Sequence, residues 1–168
     1  MSWGKKKIRG KVYSLAHLDP FDMPIVGRDG TQYGVARVSF GLHTFTREWR
    51  SSDPLDQRMV VGGEERCFCF DRYQLSLSLP AILQAACRGN AHFSRGANYL
   101  LVRRDAGQAD PYAIFFDAEK ARMKGVEVIV FVDSAYLKPN LPKKLDVIGF
   151  AKLLEKISKG ERINRPKK

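Results

Sequence analysis

Residues 125–136 (GVEVIVFVDSAY) restrict the fold more than any other stretch of the chain. Val126, Val128, Val130 and Val132 project to one face of an extended backbone, because strand side chains alternate with a period of two. Ile129 and Phe131 point to the opposite face, between Glu127 and Asp133. A strand that is apolar on both faces at its middle belongs inside a sheet, with a neighbour on each side. Ser134 and Tyr136 place hydroxyl groups where this strand leaves the core.

Its neighbours follow from link lengths. Residues 98–104 (NYLLVRR) and 112–118 (YAIFFDA) read as strands, and the links 105–111 and 119–125 are each seven residues long. Links this short join antiparallel strands, since a parallel crossover takes about a dozen residues or more. Upstream, residues 6–13 read as a short edge strand, and Asp19-Pro20 and Met23-Pro24 break the next stretch into a loop. Asp29-Gly30 turns the chain into a strand over 31–40, which forms a hairpin with 24–26. Leu42, Phe45 and Trp49 suit a helical turn about as well as a strand, and 65–70 (ERCFCF) reads as a strand. Leu75, Leu79, Ile82, Leu83 and Ala86 recur at helical spacing through Cys87, with Ser78 as N-cap and Pro80 in the first turn. A last helix starts at Asp146, carries Val147, Phe150, Ala151, Leu154 and Ile157 on one stripe, and closes at Gly160. These elements predict an α+β fold: an antiparallel sheet with a C-terminal three-strand meander and two main helices packed on one face. The expected organisation is a single domain over 1–168 with basic flexible termini at about 1–7 and 160–168.

Charge is the sharpest bulk property. The formal net charge is +11, and it is concentrated at the ends. Residues 1–11 and 156–168 together hold eleven basic residues and one acid, whereas 12–155 hold eighteen basic and seventeen acidic residues. Basic ends favour a polyanion, because phosphate contacts release counterions without requiring one geometry. No apolar run reaches the ~18 residues of a membrane span, and no apolar segment of signal-peptide type follows the basic N-terminus. Three cysteines, Cys67, Cys69 and Cys87, are too few for a disulfide framework and suit a reducing, cytoplasmic setting. Only His92 stands near Cys67 and Cys69 as a further metal ligand, so no metal or other cofactor is expected. The chain has no glycine-rich phosphate loop, no Gly-x-Ser-x-Gly elbow and no His-Glu-x-x-His.

Candidate functional residues are basic and aromatic. Between Asp71 and Asp105 there is no acid, while Arg72, Arg88, His92, Arg95, Arg103 and Arg104 interleave with Phe93 and Tyr99. Such a surface grips phosphate and stacks bases, as single-strand RNA readers do. With Lys5, Lys6, Lys7, Arg162, Arg165, Lys167 and Lys168 it makes the expected nucleic-acid-binding set. A second set suits metal-free RNA cleavage, which needs a base, an acid and cations around the phosphate: His43, Arg47, His92, Arg95 and Tyr136. His43 and Arg47 are four apart, so a helical turn there would bring them to one face.

Ser39-Phe40, His43-Thr44-Phe45-Thr46, Arg66-Cys67-Phe68, Arg72-Tyr73-x-Leu75-Ser76, Leu79-Pro80 and Phe131-Val132-Asp133-Ser134-Ala135-Tyr136 together resemble an uncharacterised family of small bacterial proteins. Some of its members carry the label "stationary phase growth adaptation protein", and some occur on plasmids and prophages. The resemblance spans about residues 8–158 and implies no established activity and no catalytic residues. Its mobile-element setting points towards a toxin, defence or regulatory role. A helix followed by an antiparallel meander is also similar in architecture to barnase-like and RelE-like ribonuclease toxins. Three readings stand: a cytoplasmic nucleic-acid binder with RNA ahead of DNA, a metal-independent endoribonuclease, and a protein-interaction module with solubilising tails.

Overall fold

The computed structural model describes residues 1–96 and 98–167. In chain order these form β1 (Lys5–Ile8), β2 (Lys11–Ser14), β3 (Phe21–Val26), β4 (Gln32–His43), β5 (Thr46–Glu48), β6 (Arg58–Val61), β7 (Glu64–Phe68), α1 (Phe70–Ser76), α2 (Leu79–Ala85), β8 (Asn90–Phe93), β9 (Tyr99–Arg103), β10 (Tyr112–Met123), β11 (Val126–Leu137), β12 (Val147–Gly149) and α3 (Phe150–Ser158).

β11 is the strand expected from valine alternation, and its four valines are buried, none more than 5% exposed. It pairs antiparallel with β10 on one side and parallel with β4 on the other, from Val128 opposite Ala36 to Val132 opposite Phe40. Glu127 strengthens the parallel pair. Its carboxylate accepts the Val35 N–H at 2.6 Å through the space left by Gly34, whose φ of +119° and lack of a Cβ admit it. The full sheet has seven strands in the order β12-β8-β9-β10-β11-β4-β3.

This corrects the antiparallel α+β expectation. The protein is mostly β, with a curled mixed sheet in which β9, β10 and β11 are interior strands between β8 and β4. Short links constrain only strands that follow each other in sequence. More than eighty residues separate β4 from β11, ample for a parallel crossover.

The sheet curls around α3, which touches β3, β4, β8, β10, β11 and β12. Phe150, Ala151, Leu153, Leu154 and Ile157 fill that concavity. A fully buried side chain of this size contributes about 1.5–3 kcal/mol. Glu155 shares the buried side and is neutralised by Lys152 at 3.2 Å and Lys159 at 2.7 Å.

The helices also depart from expectation. The start expected at Ser78 is observed, with Ser78 as the N-cap of α2 and Pro80 in its first turn, but Leu75 belongs to a separate helix, α1, because Pro80 has no N–H for the preceding turn. α1 packs against β11, and α3 makes the wider contact with the sheet. Val147 belongs to β12, paired with β8, and α3 begins only after Gly149. Residues 6–13 form a hairpin, not one strand: Arg9 and Gly10 have φ of 49° and 78°, the left-handed pair of a tight turn. A three-stranded sheet, β5-β7-β6, completes the architecture. Trp3 ties the N-terminus to the end of β4 and the turn after it, donating its indole N–H to the Phe40 carbonyl at 3.0 Å and meeting Phe45 edge-on at 5.3 Å. Among the described residues no helix is long and apolar enough to cross a membrane.

Candidate nucleic-acid interface

A cleft of about 290 Å³ opens where β9, β10 and β11 end. One wall is formed by Ser94, Arg95, Gly96 and Asn98; the other is the stretch after β11, with Lys138, Asn140, Leu141 and Pro142. Phe115 and Tyr136 line it as a stacked ring pair with centroids 5.7 Å apart. They meet because Ala113 and Phe115 stand opposite Tyr136 and Ser134 across the β10–β11 ladder. None of the described residues lining the cleft is acidic. The Lys138 ammonium lies 5.9 Å from the Tyr136 ring centroid. Cations beside an open aromatic pair, with amide and hydroxyl groups at the rim, suit a phosphate joined to a flat heterocycle.

The C-terminal segment holds one wall in place. Arg165 donates to the carbonyls of Ser94, Gly96 and Asn98 at 3.3, 2.9 and 3.1 Å, and lies over Phe93 and Tyr99 at 5.4 and 5.2 Å. Its charge is thus spent on carbonyls and rings rather than presented on a loose end.

A second basic cluster stands on the far side of Tyr136. The Arg72 guanidinium lies 4.8 Å from that ring and donates through Nη1 to the carbonyls of Thr46 at 2.6 Å and His43 at 3.1 Å. Arg66 donates to the same Thr46 carbonyl at 3.3 Å. Glu64 is shared by His43, at 2.7 Å from Nε2, and Arg66, at 3.5 Å. The hydroxyl of Tyr112 is sealed from water and has no hydrogen-bond partner among the described residues, and burial drives its pKa upwards.

The proposed cleavage set does not gather at one point. Residues 43–47 are not a helical turn: His43 ends β4, and Arg47 stands in β5 opposite Cys67. Arg47 is committed to Asp53 through two bonds of 2.6 and 2.8 Å, which hold the Asp53 carboxyl far below its usual range. His92, Leu100, Phe115, Ser134 and His43 occupy one row across five strands. His43 and His92 are therefore four strand spacings apart, about 19 Å along the sheet. His92 Nδ1 is sealed from water and has no partner among the described residues, and burial lowers its pKa. Arg95 and Tyr136 alone of the five share the cleft.

The other basic candidates are dispersed. Lys5, Lys6 and Lys7 stand in β1, with Lys6 donating to the Arg58 carbonyl at 2.8 Å. Arg88 is exposed after α2, Arg103 pairs with Asp105 at 2.9 Å, and Arg104, Arg162 and Lys167 are exposed. Lys168 lies outside the described residues. Sequence reasoning missed Lys138, Asn140, Arg66, Glu64 and Tyr112. Lys138 before Pro139 resembles any surface loop, and Glu64 meets His43 only because β7 lies beside β5. Among the described residues no group of histidines, cysteines and carboxylates is placed to hold a metal ion.

Residues 5–158 match the model of the YjaZ family, and the chain belongs to that family. No curated protein and no solved structure matches it.

Proposed function

We propose that this YjaZ-family chain is a cytoplasmic protein that binds single-stranded nucleic acid, RNA ahead of DNA, through the cleft between Arg95 and Lys138. The observation that carries this reading is a groove lined by a stacked Phe115–Tyr136 pair and two cations, with no acid among its described lining residues. Phosphate is held by the cations, and a base packs against the ring pair at a gain of about 1–3 kcal/mol. Ser94, Asn98 and Asn140 offer hydrogen bonds to base edges and to a ribose 2′-hydroxyl, the group that separates RNA from DNA. The net charge of +11 adds a long-range pull on the strand.

The test is fluorescence anisotropy with short labelled RNA and DNA, single and double stranded, in low salt. Single-stranded RNA should bind most tightly and weaken steeply as salt rises. If none of these ligands binds, the reading fails and a protein-interaction role takes its place. A growth-phase or mobile-element role belongs to the same proposal, and transcript levels through entry into stationary phase check it.

A further inference from the structure

Arg72 is a cation held half inside the protein, without a counter-ion among the described residues. Among the described residues no carboxylate lies within ion-pair distance of it, and Arg66, which shares the Thr46 carbonyl with it, is another cation. Burial accordingly weakens its hold on its proton. Its Nη1 is used by the Thr46 and His43 carbonyls, but Nε and Nη2 make no hydrogen bond among the described residues. Neither atom is among those sealed from solvent, so this edge of the guanidinium meets water. The Nε–Nη2 edge is the side of arginine that pairs with two oxygens at once.

A desolvated arginine is costly unless something negative completes it. Here the neighbours hold it in place without neutralising it. The Tyr136 ring backs the guanidinium at 4.8 Å, and the shared Thr46 carbonyl fixes Arg66 beside it. Glu64 is already divided between His43 and Arg66. The missing partner is an anion with two oxygens at phosphate spacing.

We propose that the Nε–Nη2 edge of Arg72, flanked by Arg66, binds a phosphodiester of the strand whose base packs in the cleft on the other side of Tyr136. The site rests on the nucleic-acid reading above and extends it: Tyr136 stands between two anion positions, and the strand passes over it. A strand bridging both positions gains more than a mononucleotide, which reaches only one.

The test uses the full chain and Arg72→Lys, which keeps the charge and one donor for the Thr46 carbonyl but lacks the fork. Thermal unfolding is followed with inorganic phosphate, against chloride at equal ionic strength, and strand binding by anisotropy. In the wild-type protein phosphate should raise Tm to a plateau, and Arg72→Lys should cut that rise to what the Arg95–Lys138 cleft alone supplies. The variant should bind single-stranded RNA about tenfold more weakly, the loss of one charge-assisted hydrogen bond. A Tm rise of equal size in both proteins, or in neither, overturns the site. A phosphate effect reduced in Arg72→Lys without strand binding by the wild-type protein overturns the nucleic-acid reading and the phosphodiester assignment together. Arg66→Lys serves as a second variant if Arg72→Lys unfolds early, and should also reduce the phosphate effect.

Discussion

Replacing Arg95 and Lys138 together by glutamine removes both cations that line the cleft while keeping side chains of similar length. For a single strand, each neutralised phosphate contributes about 0.7 to the slope of log Kobs against log salt. Two contacts therefore account for about 1.4 of that slope, or about a sevenfold share of the affinity lost between roughly 50 and 200 mM salt. The matched control is Lys120→Gln with Lys124→Gln, which removes the same charge at the other end of the β10–β11 hairpin. Lys124 stands twelve residues before Tyr136, about 40 Å at ~3.3 Å per residue. Salt titrations of RNA binding should show the slope reduced by about 1.4 in the cleft variant and nearly unchanged in the control. If both variants lower the slope equally, attraction comes from the net charge of the whole protein and the cleft has no special part in it.

Arg165→Ala should release the cleft wall at Ser94, Gly96 and Asn98, whose amides should exchange with deuterium about tenfold faster, as expected when about 1.4 kcal/mol of local stability is lost. Leu154→Ala empties a fully buried position on α3 and should cost about 2–5 kcal/mol, which for a chain of this size lowers Tm by about 4–20 °C in a calorimeter. His17 and His92 have pKa values lowered by burial, so the folded state resists a proton that the unfolded chain accepts near its ordinary pKa of about 6.5. Their contribution is fully present above about pH 6.5 and is lost as pH falls from there through the folded pKa values. Urea midpoints should therefore drop on acidification within that window, less steeply in His92→Gln, and a flat profile would show that neither histidine is sheltered.

Legibility followed sequence distance. The valines of β11 and the Asp29-Gly30 turn are local signals, and both mark what forms there. The parallel pairing of β11 with β4 left no local trace, because its register is set by facing surfaces brought together from far along the chain. Val147 misled for a different reason. Its spacing to Phe150 and Ala151 fits a helical stripe, but its backbone bonds to β8 instead. In the candidate site, Arg95 and Tyr136 were visible as a basic loop and a strand-end aromatic. Lys138 and the Arg66–Glu64–His43 contacts were not, since each arises where separate elements meet. Arg165 was read as tail charge, and only the fold shows it braced across Phe93 and Tyr99.

The parallel seam between β4 and β11 has a consequence during synthesis. After a ribosome completes β4, more than eighty residues must be added before β11 begins, about 4–16 s at ~5–20 residues per second. Throughout that delay the β3–β4 hairpin carries an unfilled backbone edge, and Val38 and Phe40, buried in the finished fold, face water. Nascent chains arrested before Val126 should accordingly be held by chaperones that recognise apolar segments, and chains arrested well past Leu137 should be let go.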